Sequence, residues 1–386
     1  MLLLAFAPAF AMTLPEALDR AAEVDPDSII AVLQSRKESA QTAEAYANLG
    51  FTPRVSVSQT FGSTPSSDLS VSVSLLDPPA WLSAFAQGAN SQAARANADA
   101  LARDTRYGVA VMWFQAFAAE EAEDLAQSSL SEARGTADAA EARLRAGLTS
   151  ELDAKAARLG VLNAQATLAS AQSSRFIALA RLSSALQTEV IQVDAPRPPE
   201  MPDGTGTSPW IAVYEANVRQ ARWDEAAAWA SLFPTASLSG TRSLLPVSNS
   251  AAWAITLSAS WSFSGVLAPF LNVQEAHIDR KIAEVQLEQR KRIDALDVSI
   301  ARAQVDAARA RRSAAVDGEK LAAETVVVGK ARLGAGLIST LDVLKLQEQE
   351  AQARVQRVGA ELDLALAVLD SRRLSGLPVI EPQPGR

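Results

Sequence analysis

Ala142-Arg143-Leu144-Arg145-Ala146-Gly147-Leu148-Thr149-Ser150-Glu151-Leu152-Asp153 returns later in the chain as Ala331-Arg332-Leu333-Gly334-Ala335-Gly336-Leu337-Ile338-Ser339-Thr340-Leu341-Asp342. Each copy carries a stop signal and then a start signal. Gly147 and Gly336 suit the left-handed position after a helix C-terminus, with Leu148 and Leu337 placed for the apolar contact that accompanies it. Ser150 with Asp153, and Ser339 with Asp342, have the S-x-x-D form of a capping box that opens the next helix. Each copy therefore reads as the tip of a helical hairpin, and the chain as a tandem repeat.

The flanking segments read as helices. Ile293, Leu296, Ile300, Ala303, Ala307, Ala310, Ala314, Leu321, Val328 and Ala331 fall on one line stepped alternately by three and four, with Asp317 and Glu324 as its polar members. That step marks a left-handed coiled-coil seam. After the turn, Leu341, Leu344, Ala351, Val355, Val358, Leu362, Ala365 and Leu369 continue it, and Leu346, Ala353, Ala360, Leu364 and Ala367 form a second stripe. Two stripes on one helix imply two neighbours. Helices are expected over about 80–145 and 269–333, with shorter partners over about 150–187 and 339–372. Two more, about 14–49 and 208–232, complete the set. A helix of ~66 residues would extend ~100 Å, far beyond a compact fold.

Between these helices lie stretches of period two. Leu69-Ser70-Val71-Ser72-Val73-Ser74-Leu75 and Val55-Ser56-Val57-Ser58 alternate apolar with serine, and Trp253 to Phe263 alternates likewise. Ala236-Ser237-Leu238-Ser239 is a shorter member. Strands are expected at about 53–61, 68–76, 234–241 and 252–264. Each has one greasy and one small polar face, the pattern of outer-membrane strands. A soluble β-sandwich with serine outside shares it. Trp253 and Trp261 stand ~27 Å apart along a strand, or ~20 Å along the membrane normal after tilt, as two aromatic girdles would. Four strands cannot close a barrel, and lipid does not tolerate an open edge. Cyclic assembly would be needed, and three chains supply twelve strands.

Residues 1–11 read as a signal peptide ending in Ala9-Phe10-Ala11, an A-x-A pattern behind a short apolar run. The first repeat then spans 12–189 with its tip at 146–150, and a Pro-rich linker spans 190–209. The second repeat spans 210–373 with its tip at 334–339, and 374–386 reads as a loose tail. The chain has 48% apolar but only 5% aromatic residues, which suits close-packed alanine-rich helices. A net charge of −8 argues against a nucleic-acid partner. Cysteine is absent and His277 is the only histidine, so neither thiol chemistry nor a His-based metal site is expected. No phosphate loop, paired catalytic carboxylates or nucleophile–base set is visible. No cofactor, metal site or catalytic residue is assigned, and the chain is not read as an enzyme.

This pattern resembles the TolC-type outer-membrane efflux family over about residues 13–376, most specifically in the two Gly-x-x-Ser/Thr-x-x-Asp tips. The resemblance implies a mainly α chain with membrane β: long coiled-coil hairpins plus four strands in a trimeric 12-stranded outer-membrane barrel. It implies an exit duct set in outer-membrane lipid, with a periplasmic helical tunnel. Its partners would be a periplasmic adaptor and an inner-membrane transporter of RND, ABC or MFS type, and its cargo drugs, small molecules or secreted polypeptides. The tips, with Gly147, Leu148, Ser150, Asp153, Gly336, Leu337 and Ser339, would be adaptor-docking points. Some members carry two aspartates three apart after the second tip, as acidic rings at the entrance. Asp342 matches the first, whereas Lys345 occupies the second and Ile338 a position basic in some relatives. Asp342 and Lys345 are therefore the gate candidates, with simple helix capping as the other reading of Asp342. The alternative readings are a periplasmic adaptor, disfavoured by two hairpins and four membrane-like strands, and a soluble coiled-coil scaffold, disfavoured by the signal peptide and the Trp-bounded strand.

Overall fold

The computed structural model describes residues 12–49, 54–60, 66–196, 199, 207–244, 253–261 and 268–379. The leader reading on 1–11 lies outside them. The elements run α1 (Leu14–Val24), α2 (Pro26–Asn48), β1 (Arg54–Thr60), β2 (Ser66–Leu76), α3 (Pro78–Arg145), α4 (Glu151–Leu186), α5 (Pro209–Ala230), β3 (Thr235–Ser243), β4 (Ala254–Ser260), α6 (Ala268–Gly334) and α7 (Thr340–Leu374). The two long helices have 68 and 67 residues. No helix among the described residues is long and apolar enough to cross a membrane.

Sequence periodicity over 14–49 suggests one helix; the structure has two. Asp25 takes an extended conformation (φ −68°, ψ 119°) and Pro26 opens α2. The proline ring disfavours helical backbone at the preceding residue. Asp25 then caps α2, its carboxylate accepting from Ser28 N at 2.9 Å and from the Thr105 hydroxyl at 3.0 Å.

The chain forms two compact units. One combines Met1–Ile29, Ala102–Ser208 and Asp294–Arg386. Its core joins Leu14, Ala17, Leu18 and Ala21 of α1 to Trp113 of α3, Leu182 and Leu186 of α4, Val190 and Val193 of the linker, and Leu369 of α7. Trp113 is fully buried, and its indole N–H donates to Asp194 O at 3.2 Å, so the ring packs without an orphaned donor. The tail read as loose from 374 onward is packed as far as Val379, which is buried in this core. Arg372 Nε donates to Pro378 O at 2.9 Å and Arg103 Nη1 to Gly376 O at 3.1 Å. The prolines suggest an unstructured end, but these side-chain donors satisfy the carbonyls a tail would otherwise show to water.

The other unit combines Ile30–Leu101 and Pro209–Ile293 and contains the sheet. The strands pair antiparallel in the order β1-β2-β3-β4. Alanines such as Ala84, Ala86, Ala89 and Ala93 are buried along α3, which lets the helices approach closely. Glu38 Oε2 accepts from Gln87 Nε2 at 2.8 Å and Asn90 Nδ2 at 2.7 Å, tying α2 to α3. His277 Nδ1 lies 2.8 Å from Glu225 Oε1, and Arg280 Nε lies 2.6 Å from Oε2 of the same carboxylate. The single histidine thus belongs to a helix–helix ion network.

The alternation expected over 252–264 appears as β4 over Ala254–Ser260; Trp253 and Trp261 flank it, and 262–264 lie outside the described residues. Trp261 Nε1 donates to Leu232 O at 3.0 Å. That bond fastens it to the segment before β3 instead of to the ladder. In the other direction, β3 extends past the expected 241 to Ser243, because Arg242 pairs with Leu69 and Ser243 with Asp68.

Candidate functional site

Two regions stand out chemically: the hairpin tips and the sheet. At the tips, Gly147 and Gly336 have φ of +69° and +72°. Gly147 N donates to Leu144 O and Leu148 N to Arg143 O, both at 2.9 Å. Gly336 N and Leu337 N do the same to Leu333 O and Arg332 O, at 3.1 and 2.9 Å. This paired closure satisfies the last helix carbonyls and requires the left-handed glycine. Valine at either position would cost ~1–2 kcal/mol by forcing a side chain into that region. Gly147→Val and Gly336→Val are expected to lower amide protection at their own tips, measured by hydrogen exchange. Wild-type protection in both would contradict this.

The next helix starts three residues later. Ser150 Oγ accepts from Asp153 N at 3.1 Å, and the Asp153 carboxylate accepts from the hydroxyls of Ser150 at 2.7 Å and Thr149 at 3.1 Å. In the second tip, Ser339 Oγ accepts from Asp342 N at 3.1 Å. Asp342 Oδ2 accepts from Ser339 N at 3.0 Å and from its hydroxyl at 2.7 Å. Both boxes are complete, so Asp342 is a helix cap whatever else it does.

These contacts set the charge of the tips. Hydrogen bonds from Ser339 hold the Asp342 carboxyl below the usual carboxylate range, and the Lys345 ammonium adds to this. Asp153 is lowered chiefly by the Ser150 hydroxyl, while the Asp342 charge opposes it. The two tips therefore feel each other. They are also joined mechanically: Leu344 packs with Val161 around Ala137, Ala140 and Ala157, and Thr136 Oγ1 donates to Gln347 Oε1 at 3.2 Å. A carboxyl depressed on folding stabilises above its unfolded pKa of ~3.9 and loses that contribution as pH falls through the folded value. Protection factors at both tips are expected to drop below about pH 4, and Asp153→Asn with Asp342→Asn should remove that dependence. Protection unchanged down to pH 2 or so would refute the assignment.

Leu148, Leu152 and Leu337 project into solvent at the tips, 78%, 72% and 73% exposed. The turn signature places Leu148 and Leu337 for an apolar contact back on the preceding helix, but both stand largely in water. Leu152 reads as an interior helix position; the only signal of its exposure is an apolar side chain within the first turn after a cap. Lys345 is exposed one turn into α7.

In the sheet, the register defines two faces. Val55 pairs with Val71, Val71 with Gly240, and Gly240 with Ile255; Val73 pairs with Leu238, and Leu238 with Leu257. Directly paired residues share a face, so this face is apolar. The opposite face is hydroxylated: Ser56 meets Ser70 at 2.6 Å, Ser237 meets Ser258 at 3.0 Å, and Thr235 meets Ser260 at 2.8 Å. Val55, Val57, Ile255 and Leu257 are exposed. A sheet in water would turn such a face inward against a second layer, as in a sandwich. Val73 is buried at the middle of this face, but no second layer packs across it among the described residues of this unit.

Comparison with known proteins gives the same picture. The outer membrane channel CmeC of Campylobacter jejuni is 16% identical, with TM-score 0.79, over 96% of this chain and 87% of that one. The MtrE outer membrane channel of Neisseria gonorrhoeae is 23% identical, with TM-score 0.83, over 95% and 89%. The outer membrane protein VceC of Vibrio cholerae is 16% identical, with TM-score 0.81, over 93% and 96%. No curated protein sequence matches the chain. At these identities the solved structures show the shared fold. The family model for "Outer membrane efflux protein" matches residues 30–187 and 206–377, most of both repeats. The chain belongs to the outer membrane efflux protein family, whose members are outer-membrane channels with a periplasmic helical tunnel.

Proposed function

We propose that three copies of this chain close a twelve-stranded barrel and form a passive exit duct from the periplasm. The observation that carries this is the open sheet: among the described residues β1 and β4 are unpaired edges, next to an apolar face that exposes Val55, Val57, Ile255 and Leu257. Neither edge is tolerable in hydrocarbon, and pairing β4 of one copy with β1 of the next removes both at once. In this reading the apolar face meets lipid and the hydroxylated face lines the passage. Trp253 and Trp261 stand at the two interfaces.

The tips serve as docking points for a periplasmic adaptor, with exposed leucines on rigid, doubly capped turns as the contact. An inner-membrane transporter of RND, ABC or MFS type supplies the energy, and cargo ranges from small molecules to polypeptides. Three copies of Asp342 ring the periplasmic mouth and favour cations, each partly offset by Lys345. Planar-bilayer conductance tests this. Asp342→Asn keeps an acceptor at the cap and removes the charge, so the cation preference should move towards unity with the pore intact. Unchanged selectivity would remove Asp342 from the gate, and absence of any pore in the wild type would overturn the reading as a whole.

A further inference from the structure

Residues 54–76 and 235–261, which hold the four strands and their two connections, contain only three charged residues: Arg54, Asp68 and Arg242. The register sorts them by face. Arg54 pairs with Ser72, and Asp68 with Ser58 and Ser243, so both lie on the hydroxylated face. Arg242 pairs with Leu69, which pairs with Val57, so it lies on the apolar face. The connections 61–65 and 245–252 contain no Asp or Glu, so the chain offers that face no carboxylate at this end.

Trp253 marks the same level. It immediately precedes Ala254, the partner of Thr241. Its ring lies over Gly240, where an added Cβ would stand 3.3 Å from Cε3. Gly240 and Arg242 are successive residues of one face, so the Trp253 ring and the Arg242 side chain rise from adjacent positions on it. Both sit at the end of the sheet away from the helices, which attach before β1 and β3 and after β2 and β4. With the helices in the periplasm, that end is the outer leaflet.

We infer that Arg242 and Trp253 form a binding site for a phosphate-bearing lipid headgroup of the outer leaflet, an inference that rests on the barrel reading above. A cation on a lipid face is tolerated only near the interface. There its aliphatic stem lies along apolar surface while the head reaches the polar layer. Guanidinium matches phosphate oxygens in a two-pronged contact, and the indole holds the depth. In a closed barrel of three chains the site occurs three times, and these are the lipid face's only charges in the strand segments.

The test uses the full-length protein in nanodiscs of phosphatidylcholine, with and without bis-phosphorylated lipid A. Retained lipid is counted by native mass spectrometry. The wild type should retain lipid A, and Arg242→Gln should lower its affinity about ten-fold, the equivalent of one charge-assisted contact. Arg242→Lys should recover part of it, and Arg54→Gln, on the other face, should leave it unchanged. Equal retention by wild type and Arg242→Gln, or an equal loss in Arg54→Gln, would overturn the site. Conductance in matching vesicles separates the two claims: a pore with unchanged retention removes the lipid site alone, whereas no pore removes the barrel and the site together.

Discussion

Alanine at Gly376 is expected to destabilise the unit built on α1, α4 and α7 by about 3 kcal/mol, combining a left-handed side chain with an overpacked contact. Gly376 has φ +68°, and a Cβ there would stand 2.2 Å from the carbonyl oxygen of Thr207. That atom is backbone, so relief requires the chain itself to move. The position also closes α7: Gly376 N donates to Arg373 O and Leu377 N to Arg372 O, both at 3.0 Å. Beyond it, Val379 re-enters the core beside α1 and α3. Movement at Gly376 would therefore pull out Val379 and the Arg372–Pro378 contact together. The readout is the loss of helical circular dichroism on heating. Gly135→Ala is the control, because nothing lies within 4 Å of its added Cβ; there alanine should be neutral or gain up to ~1 kcal/mol of helix propensity. Equal melting of wild type and Gly376→Ala would show that the α7 exit is not fixed as described.

Aspartate at Leu296 or Leu321 is expected to abolish assembly while leaving the single chain folded. Both side chains lie on the apolar seam of α6, yet they are 58% and 68% exposed in the chain. The buried side chains of α6 are instead Val273, Asp294, Ala301, Val305, Ala308 and Val326, on a neighbouring stripe. The larger seam thus lies uncovered among the described residues. Burying one leucine contributes ~1.5–3 kcal/mol, and a long row of such residues is a strong drive for another copy to cover it. A carboxylate in that row must be desolvated or protonated in every copy, which opposes association by several kcal/mol per site. The intrachain contacts, including Arg357 with Glu319 at 2.8 Å, are untouched. Native gels and sedimentation should show folded monomers; assembly of Leu321→Asp at wild-type strength would place the seam elsewhere.

Much of this architecture is legible from residues alone, and the exceptions have physical causes. The two turns are legible because glycine at positive φ and a Ser-x-x-Asp box are local signals that need no tertiary context, although Gly334, read as the start of the second tip, ends α6. The four strands are legible because their faces alternate without interruption over most of their length, while their ends differ by a few residues because pairing sets them. The seam of α6 was visible as periodicity, but periodicity cannot say whether the neighbour is the same chain or another copy. The break at Asp25 was hidden because apolar spacing continues across Pro26, although the proline itself was a signal. The packing of 374–379 is not legible in composition, because it depends on Arg372, a buried cation holding the Pro378 carbonyl. Asp342 shows the limit at the candidate site: the same Ser339 contacts that make it a cap also keep it ionised, so capping and gating are compatible.

The central claim is that one chain is one third of a pore. Native mass measurement of the complex extracted from outer membranes tests it most directly. Three copies in a single species, converted to monomer by Leu296→Asp, is the predicted result. A monomer recovered from the wild type without detergent would contradict it.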